Sequence, residues 1–280
     1  MLLNGHSNFD LQTVQNKKGI FVLKTASNCE DIKRLHYQRI KQTEFHNYIQ
    51  NNDLRYFIEI IPVISTRSNG FIMPFFNGKS IIDIIEKENI FLIEDIIDKL
   101  LRFIEWEIGL CDFKKLPIIE IKDKIKNIEK KCCDDDITNI VLHLNKKINL
   151  LEKKCIPIGI CHGDFTFANM LFSNKIGLID FLDSFIETPL WDIGKLLQEL
   201  RLKWSYLMCK EKVDKTKIQI AYAYMNKILD KKIKEFELMY NIDDEILTIF
   251  YAITLLRILP YCKNKKVYNS IKKEISCLKY

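Results

Sequence analysis

One short stretch, CHGDFTFANML at residues 161–171, constrains the fold more than any other part of the chain. Its polar residues His162, Asp164 and Asn169 stand among apolar neighbours, where an unpaired carboxylate is costly. Asp164 therefore needs a compensating partner or a chemical task. The run NMLF, the polar turn SNK and the run IGLID follow, and they predict a small β-hairpin whose second strand ends at Asp180.

The residue types in this stretch suit the transfer of a phosphoryl group. A carboxylate on a loop, such as that of Asp164, can accept the proton of an attacking hydroxyl. The hairpin would bring the carbonyl oxygen of Asn169 close to the carboxylate of Asp180, and Mg²⁺ prefers oxygen ligands of this kind. A group that orients the nucleophile and metal ions on the phosphates are the parts that phosphoryl transfer requires.

The chain changes character near residue 77. Residues 1–76 contain strand-like runs (GIFVLKTA, YFIEIIPVIST and FIMPFF) around one helix, whose start is marked by a capping-box pattern at Ser27 and Glu30. An Asn-Gly pair between the last two runs predicts a hairpin. Helical periodicity dominates afterwards. We therefore expect an α+β fold with two unequal lobes, a nucleotide-binding lobe at 1–76 and a helical lobe with the acceptor site at 77–280.

Composition limits the classes of function. The 280 residues carry a formal net charge of +6, and their paired lysines are typical of solvated helix faces, so a nucleic-acid-binding surface is the lesser alternative. The longest apolar stretch, ILTIFYAITLLRIL, is too short to span a bilayer and suits a buried helix. The N-terminus has no secretory apolar region and the cysteines show no C-x-x-C spacing, so we expect a reduced, cytoplasmic protein.

The pattern H-G-D-x-x-x-x-N, followed by I-D-F, resembles the aminoglycoside phosphotransferase and choline kinase superfamily. That resemblance implies a bilobal protein-kinase-like fold, with a small strand-rich N-lobe and a large helical C-lobe. It implies ATP and Mg²⁺ as cofactors, Asp164 as the catalytic group, and Asn169 and Asp180 as metal ligands. It also implies that His162 and Asp192, the latter in TPLWDIGK, support the catalytic loop.

The same resemblance assigns the nucleotide-binding residues. Lys24, in GIFVLK, matches the lysine that holds the phosphates, and Glu44 is the mid-helix acid expected to pair with it, although a plain surface acid is the alternative. Ser7 and Asn8, in NGHSNF, occupy the place of the phosphate-covering loop. FIMPFF resembles the interlobe hinge, where backbone groups from Met73 to Phe75 would hydrogen-bond adenine.

The acceptor is the least constrained part of the prediction. The short interval between Asp180 and Asp192 leaves no room for the activation loop of protein kinases, so a peptide acceptor is disfavoured. The positive net charge does not favour a polycationic aminoglycoside, and a sugar or sugar derivative is preferred, with choline, ethanolamine and aminoglycosides as alternatives. Tryptophans here could cage a quaternary ammonium or simply pack between helices. The candidate acceptor-site residues are Asp183, Glu187, Trp191, Gln198 and Arg201.

We therefore predict an ATP-dependent O-phosphotransferase that moves the γ-phosphate to a hydroxyl of a small molecule. The segment after the hairpin also resembles bacterial members of the superfamily that are associated with surface-polysaccharide biosynthesis. A catalytically silent nucleotide-binding module is the alternative from another class. The chain keeps Lys24, Asp164, Asn169 and Asp180 together, whereas silent relatives typically lose at least one of these residues.

Overall fold

The computed structural model describes residues 9–132 and 134–278, which form two compact units. The first unit contains 9–84 and 162–184, and the second contains the described residues of 85–161 and 185–278. The strands are β1 (Asp10–Asn16), β2 (Gly19–Thr25), β3 (Ile58–Ile60), β4 (Ser65–Arg67), β5 (Gly70–Pro74), β6 (Asp112–Lys115), β7 (Cys155–Ile158), β8 (Met170–Phe172) and β9 (Ile176–Leu178). The helices are α1 (Cys29–Ile49), α2 (Ile81–Lys87), α3 (Ile90–Gly109), α4 (Ile118–Cys132), α5 (Asp135–Leu150), α6 (Leu190–Arg201), α7 (Trp204–Met208), α8 (Lys215–Tyr240), α9 (Asp244–Leu256) and α10 (Lys265–Cys277).

An antiparallel sheet of order β1-β2-β5-β4 forms part of the first unit. The apolar run predicted as a strand forms β2, and its register places Lys24 opposite Phe71 of β5. Arg67 of β4 pairs with Gly70 of β5, so the predicted Asn-Gly hairpin is confirmed, with Asn69 in its turn. The sheet thus fixes Lys24 on a central strand.

Helix α1 begins one residue later than the predicted capping box suggests. The side chain of Asn28, rather than that of Ser27, caps the helix by accepting a hydrogen bond from the Asp31 backbone N–H at 2.9 Å. Glu30 and Asp31 lie in the first turn, where acidic groups are favoured by the helix dipole. The buried face of α1 carries Leu35, Gln38, Lys41, Gln42, Phe45 and Ile49.

A second sheet explains why residues 162–184 join the first unit. Its order is β3-β9-β8, with β3 parallel to β9 and β8 antiparallel to β9. Strands β8 and β9 are the hairpin that the sequence predicts. Because β9 pairs with β3, the hairpin belongs with the strands of the first unit. A lobe that ends at residue 76 does not contain this hairpin.

The second unit is built mainly from helices. The apolar stretch predicted as a buried helix forms α9, which is buried over most of its length, from Ile246 to Leu256. Helix α6 packs closely on it, because a Cβ at Gly194 would lie 2.7 Å from Thr254 Oγ1. Within the described part of the chain, the structure contains no helix with the length and apolar character that a membrane span requires.

Candidate active site

His162 is fully buried at the start of the loop that leads to the β8–β9 hairpin. Its Nε2 lies 2.9 Å from the Ile179 carbonyl oxygen, and its Nδ1 lies 3.2 Å from the Asp164 backbone nitrogen. Because the Asp164 N–H must donate to Nδ1, the proton of the neutral ring is assigned to Nε2, which donates to Ile179. Burial lowers the pKa of His162 to about 4 and outweighs the opposing effect of Asp164, so the imidazole is neutral near pH 7.

The glycine of the H-G-D pattern is required by the path of the backbone. Gly163 has a φ of +84°, a backbone conformation that residues with a Cβ rarely adopt. A Cβ at this position would also lie 2.2 Å from the Leu182 carbonyl oxygen. The Leu182 N–H in turn donates to the His162 carbonyl oxygen at 2.9 Å. The two segments therefore approach each other so closely that only glycine fits between His162 and Asp164.

Asp164 is half-buried and is held by Asn169 from the same loop. The Asn169 Nδ2 donates to the Asp164 carbonyl oxygen at 2.8 Å and to its Oδ2 at 3.0 Å. Because the amide nitrogen makes both bonds, the amide oxygen is the atom that Asn169 can offer to a cation. The loop thus orients one carboxylate and one amide together.

The hairpin brings Asp180 to the same end as Asn169. Met170 pairs with Leu178 across the hairpin, and the Ile179 N–H donates to the Asn169 carbonyl oxygen at 3.1 Å. Asp180 follows directly and has a left-handed backbone, with a φ of +63°. Its carboxylate is about one-quarter exposed. The hairpin therefore places the backbones of Asn169 and Asp180 at the same end.

Lys24 pairs directly with Asp180. Its ammonium lies 2.6 Å from Asp180 Oδ1, and the lysine side chain is 1% exposed. The same Nζ donates to Gln38 Oε1 on α1 at 3.0 Å and lies 4.7 Å from the centre of the Phe9 ring. A buried ammonium needs such partners, because an uncompensated charge in the interior is very unfavourable. Lys24 and Asp180 thus form a charge-neutral pair at the base of the site.

The predicted pairing of Lys24 with Glu44 is wrong. Glu44 is exposed on α1, whereas Gln38, on the buried face, contacts Lys24. Helical spacing places Glu44 on the same face as Tyr37 and Ile40. That face is the exposed one, since Tyr37 is 53% exposed. The residue that reaches the lysine is a neutral amide, and reasoning from charge alone could not find it.

The segment predicted as the interlobe hinge makes backbone contacts within the first sheet. Met73 lies within β5, paired with Val22 of β2, and the Phe75 N–H donates to the Ile20 carbonyl oxygen at 3.0 Å. Of the backbone groups from Met73 to Phe75 that are predicted to bind adenine, the Phe75 N–H is therefore already bonded within the sheet. Ser7 and Asn8, predicted for the phosphate-covering loop, lie outside the described residues.

Several predicted acceptor residues are buried in the second unit. Trp191 is fully buried between Phe185 and Phe250, and its Nε1 donates to the Ile186 carbonyl oxygen at 2.8 Å. It therefore serves helix packing and cannot line an open aromatic cage. Gln198 is 1% exposed, which contradicts its assignment to an acceptor site. Both predictions were wrong because α6 is buried over nearly its whole length.

The other predicted residues occupy different settings. Asp183, in the first unit, is exposed. Glu187, in the second unit, is half-buried and accepts a hydrogen bond from the Cys161 thiol at 3.1 Å. Arg201 lies on the surface in an ion pair with Asp230 at 3.0 Å. Asp192 is fully buried in the first turn of α6.

The donor set of the first unit fits Mg²⁺ together with a polyphosphate. Among the residues that the structure describes, no cluster of three or more His, Cys, Asp or Glu side chains could hold a metal by itself. Mg²⁺ is usually bound through one or two protein oxygens with phosphate and water completing its shell. Asn169 and Asp180 offer such oxygens from one end of the hairpin. They would hold the ion only when a nucleotide supplies further ligands.

A sequence model of the phosphotransferase enzyme family matches residues 137–217, a segment that contains the loop, the hairpin and Asp192. The predicted family resemblance is confirmed. The predicted enzyme class, a phosphotransferase, agrees with this match. No curated protein sequence gives a significant match to the chain.

Solved structures of phosphotransferases share the fold at low sequence identity. An aminoglycoside phosphotransferase, APH(4)-Ia, in a ternary complex with AMP-PNP and hygromycin B, gives a TM-score of 0.65 at 12% identity, over 99% of this chain and 92% of that one. A glucosamine kinase gives 0.58 at 9% identity, over 91% and 73% of the two chains. The Plasmodium vivax ethanolamine kinase gives 0.50 at 14% identity, over 99% and 81%. The predicted α+β, kinase-like fold is therefore confirmed.

Proposed function

We propose that this chain is an ATP-dependent O-phosphotransferase that moves the γ-phosphate of ATP to a hydroxyl of a small molecule. The observation that carries the proposal is the arrangement of four side chains within the first unit. The Lys24 ammonium lies 2.6 Å from Asp180 Oδ1. At the same end of the hairpin, Asn169 Nδ2 donates to Asp164 Oδ2 at 3.0 Å. The matched family and the shared fold support this reading.

Each of these groups has a defined task in the proposed reaction. Asp164 accepts the proton of the acceptor hydroxyl as its oxygen forms a bond to the γ-phosphorus. The bond between that phosphorus and the β,γ-bridging oxygen breaks, and ADP leaves with the electron pair. Lys24 holds the phosphates of the nucleotide, while His162 keeps the loop in register as a neutral, buried ring. The protein therefore acts mainly by orientation and by electrostatic stabilisation.

Asn169 and Asp180 would hold the magnesium ion. When bound, Mg²⁺ neutralises charge that develops on the transferring phosphoryl group. Without nucleotide, the Lys24 ammonium and the Asp180 carboxylate compensate each other. Phosphates offer Lys24 a second anionic partner, and the cation offers Asp180 a positive one, so nucleotide and metal are expected to bind together.

A sugar or sugar derivative is the proposed acceptor. A choline cage would have used Trp191 of α6 and Trp204 of α7, and burial of Trp191 removes one of them. One structure with this fold contains glucosamine, ADP and inorganic phosphate, and another contains hygromycin B, which supports an acceptor rich in hydroxyls. A neutral or anionic sugar also suits a chain of net charge +6 better than a polycation does.

An acceptor screen tests the proposal. Purified protein with Mg-ATP is assayed for ADP release across sugars, amino sugars, amino alcohols, choline and aminoglycosides, with the acceptor-free rate subtracted. We expect a sugar to be turned over, and single-deoxy analogues to lose at least about a hundredfold in kcat/KM, because buried polar partners are left unpaired. Turnover of choline with all sugars inert would reject the sugar assignment, and no transfer to any acceptor would reject the activity.

A further inference from the structure

The turn at Asp180, Phe181 and Leu182 is held by one face of helix α1. The Asp180 N–H donates to Gln42 Oε1 at 3.3 Å, and the Lys41 ammonium donates to the Leu182 carbonyl oxygen at 2.6 Å. These bonds lie on either side of Phe181. Since Lys41 and Gln42 are neighbours on the buried face of α1, the helix holds the turn at two points.

The aromatic ring between these two bonds is also fixed by α1. The Phe181 ring lies 4.7 Å from that of Phe45 and 4.2 Å from that of His162, measured between ring centres. Phe45 follows Lys41 by one helical turn, so the two side chains project from the same side of the helix. Phe181 is fully buried. The residue after Asp180 thus has a single packed position.

The amide of Gln42 matches both of its hydrogen-bond partners. It is fully buried, its Nε2 donates to the Ile61 carbonyl oxygen at 2.7 Å, and its Oε1 accepts from the Asp180 N–H. A primary amide can donate to a carbonyl and accept from an N–H at the same time, whereas a carboxylate or an ammonium cannot. The bond to Ile61, just after β3, therefore sets which end of the amide faces Asp180.

Asp180 needs such support because its backbone is left-handed, at a φ of +63°. A residue with a Cβ adopts this conformation only when surrounding contacts stabilise it. The direction of its carboxylate depends on that backbone conformation. If the turn relaxed, the carboxylate would leave the position from which it meets Lys24 and, in the proposed function, the cation.

We propose that Gln42 and Lys41 are positioning residues that fix the Asp180 turn and thereby set the affinity of the site for the magnesium form of the nucleotide. Neither side chain is assigned a contact with substrate. The inference rests on the proposed function, since it concerns the same carboxylate. It extends the site from the loop and hairpin to a helix of the first unit, through contacts that no ligand is needed to form.

Nucleotide binding without turnover tests this role. Calorimetric titrations with AMP-PNP, in Mg²⁺ and in EDTA, give the factor by which magnesium strengthens binding. We expect Gln42→Met to reduce that factor about tenfold, the size typical of residues that orient metal ligands, with little change in EDTA. Lys41→Met should reduce it in the same direction, and Lys41→Arg should restore it because the donor is kept. Glu44→Gln, an exposed change on the same helix, is the matched control.

A second readout follows the turn itself. Hydrogen exchange of the amides of residues 179–183 should become faster in Gln42→Met and Lys41→Met but not in Glu44→Gln, and circular dichroism reports whether each variant is folded. If Gln42→Met does not fold, the Lys41 variants decide the question. An unchanged magnesium factor and unchanged exchange in folded variants would overturn the inference. A wild-type protein whose AMP-PNP binding is indifferent to Mg²⁺ would reject the proposed function, and this inference with it.

Discussion

The side chain of α1 that contacts Lys24 is the neutral amide of Gln38. Gln38→Ala should weaken nucleotide binding because it frees the Lys24 ammonium from its helix partner, whereas Glu44→Ala should leave binding unchanged. Hydrogen bonds to charged groups contribute about 1.5–3 kcal/mol. A double-mutant cycle between Lys24→Ala and Gln38→Ala, measured by nucleotide titration, should therefore show a coupling of about 1 kcal/mol or more.

The same cycle distinguishes the two candidate partners of Lys24. Additive effects of Lys24→Ala and Gln38→Ala, together with a non-additive cycle for Lys24→Ala and Glu44→Ala, would restore the acidic partner and contradict the contact seen on α1. Each variant needs an unchanged thermal unfolding midpoint, so that a loss of binding reports the contact rather than a loss of folded protein.

The sequence predicted the residues of the loop better than those of the helix. His162, Asp164, Asn169 and Asp180 stand out because polar groups in an apolar run need a reason. The buried stripe of α1 is mixed: Gln38, Lys41 and Gln42 lie on it beside Leu35, Phe45 and Ile49, while Tyr37 lies on the exposed face. The prediction for Glu44 used the face that carries Tyr37, and the tertiary contacts show that the other face reaches Lys24.

At the scale of elements, the loop at residues 162–169 carries a pH-dependent contribution to stability. Burial lowers the pKa of His162 to about 4, against about 6.5 in an unfolded chain. Above about pH 6.5 the ring is neutral in both states, so it adds no pH dependence. As the pH falls towards 4, the unfolded chain binds a proton that the folded loop does not, and the free energy of unfolding should fall by about 3 kcal/mol.

Urea unfolding between pH 4 and 8 measures this effect. Carboxylates also titrate in the lower part of that range, so the wild type is compared with His162→Gln, which can still donate to the Ile179 carbonyl oxygen. The difference in free energy of unfolding between the two proteins should shrink by about 3 kcal/mol from pH 7 to pH 4. A difference that stays constant across the range would mean that His162 is not buried as a neutral ring.

Local sequence signals predicted most elements of the first unit. Alternation and turn residues gave β2 and the hairpins β4–β5 and β8–β9, because those pairings are between neighbours in the chain. The parallel pairing of β3 with β9 joins segments that are more than a hundred residues apart, and no local pattern encodes it. That pairing is what brings the hairpin, and Asp180 with it, into the first unit.

At the scale of the whole molecule, the residues proposed for phosphoryl transfer were easier to predict from the sequence than the residues that select the acceptor. The groups proposed for phosphoryl transfer lie together in the first unit. Spacing and residue type indicated Asp164, Asn169 and Asp180, whereas the family resemblance indicated Lys24. The predicted acceptor residues depended on which faces of α6 are open, and burial of Trp191 and Gln198 shows that reading side-chain chemistry without packing fails there.

The central claim, that Asp164 receives the proton of the acceptor hydroxyl, is tested most directly by Asp164→Asn. An asparagine keeps an oxygen that can accept from Asn169 Nδ2, so the loop should remain folded. Single-turnover transfer from Mg-ATP to the best acceptor of the screen is compared with the affinity for Mg-AMP-PNP. We predict a loss of transfer of at least about a hundredfold, with affinity unchanged within about twofold. Wild-type transfer by Asp164→Asn, or a loss of transfer that parallels a loss of nucleotide affinity, would contradict the assignment.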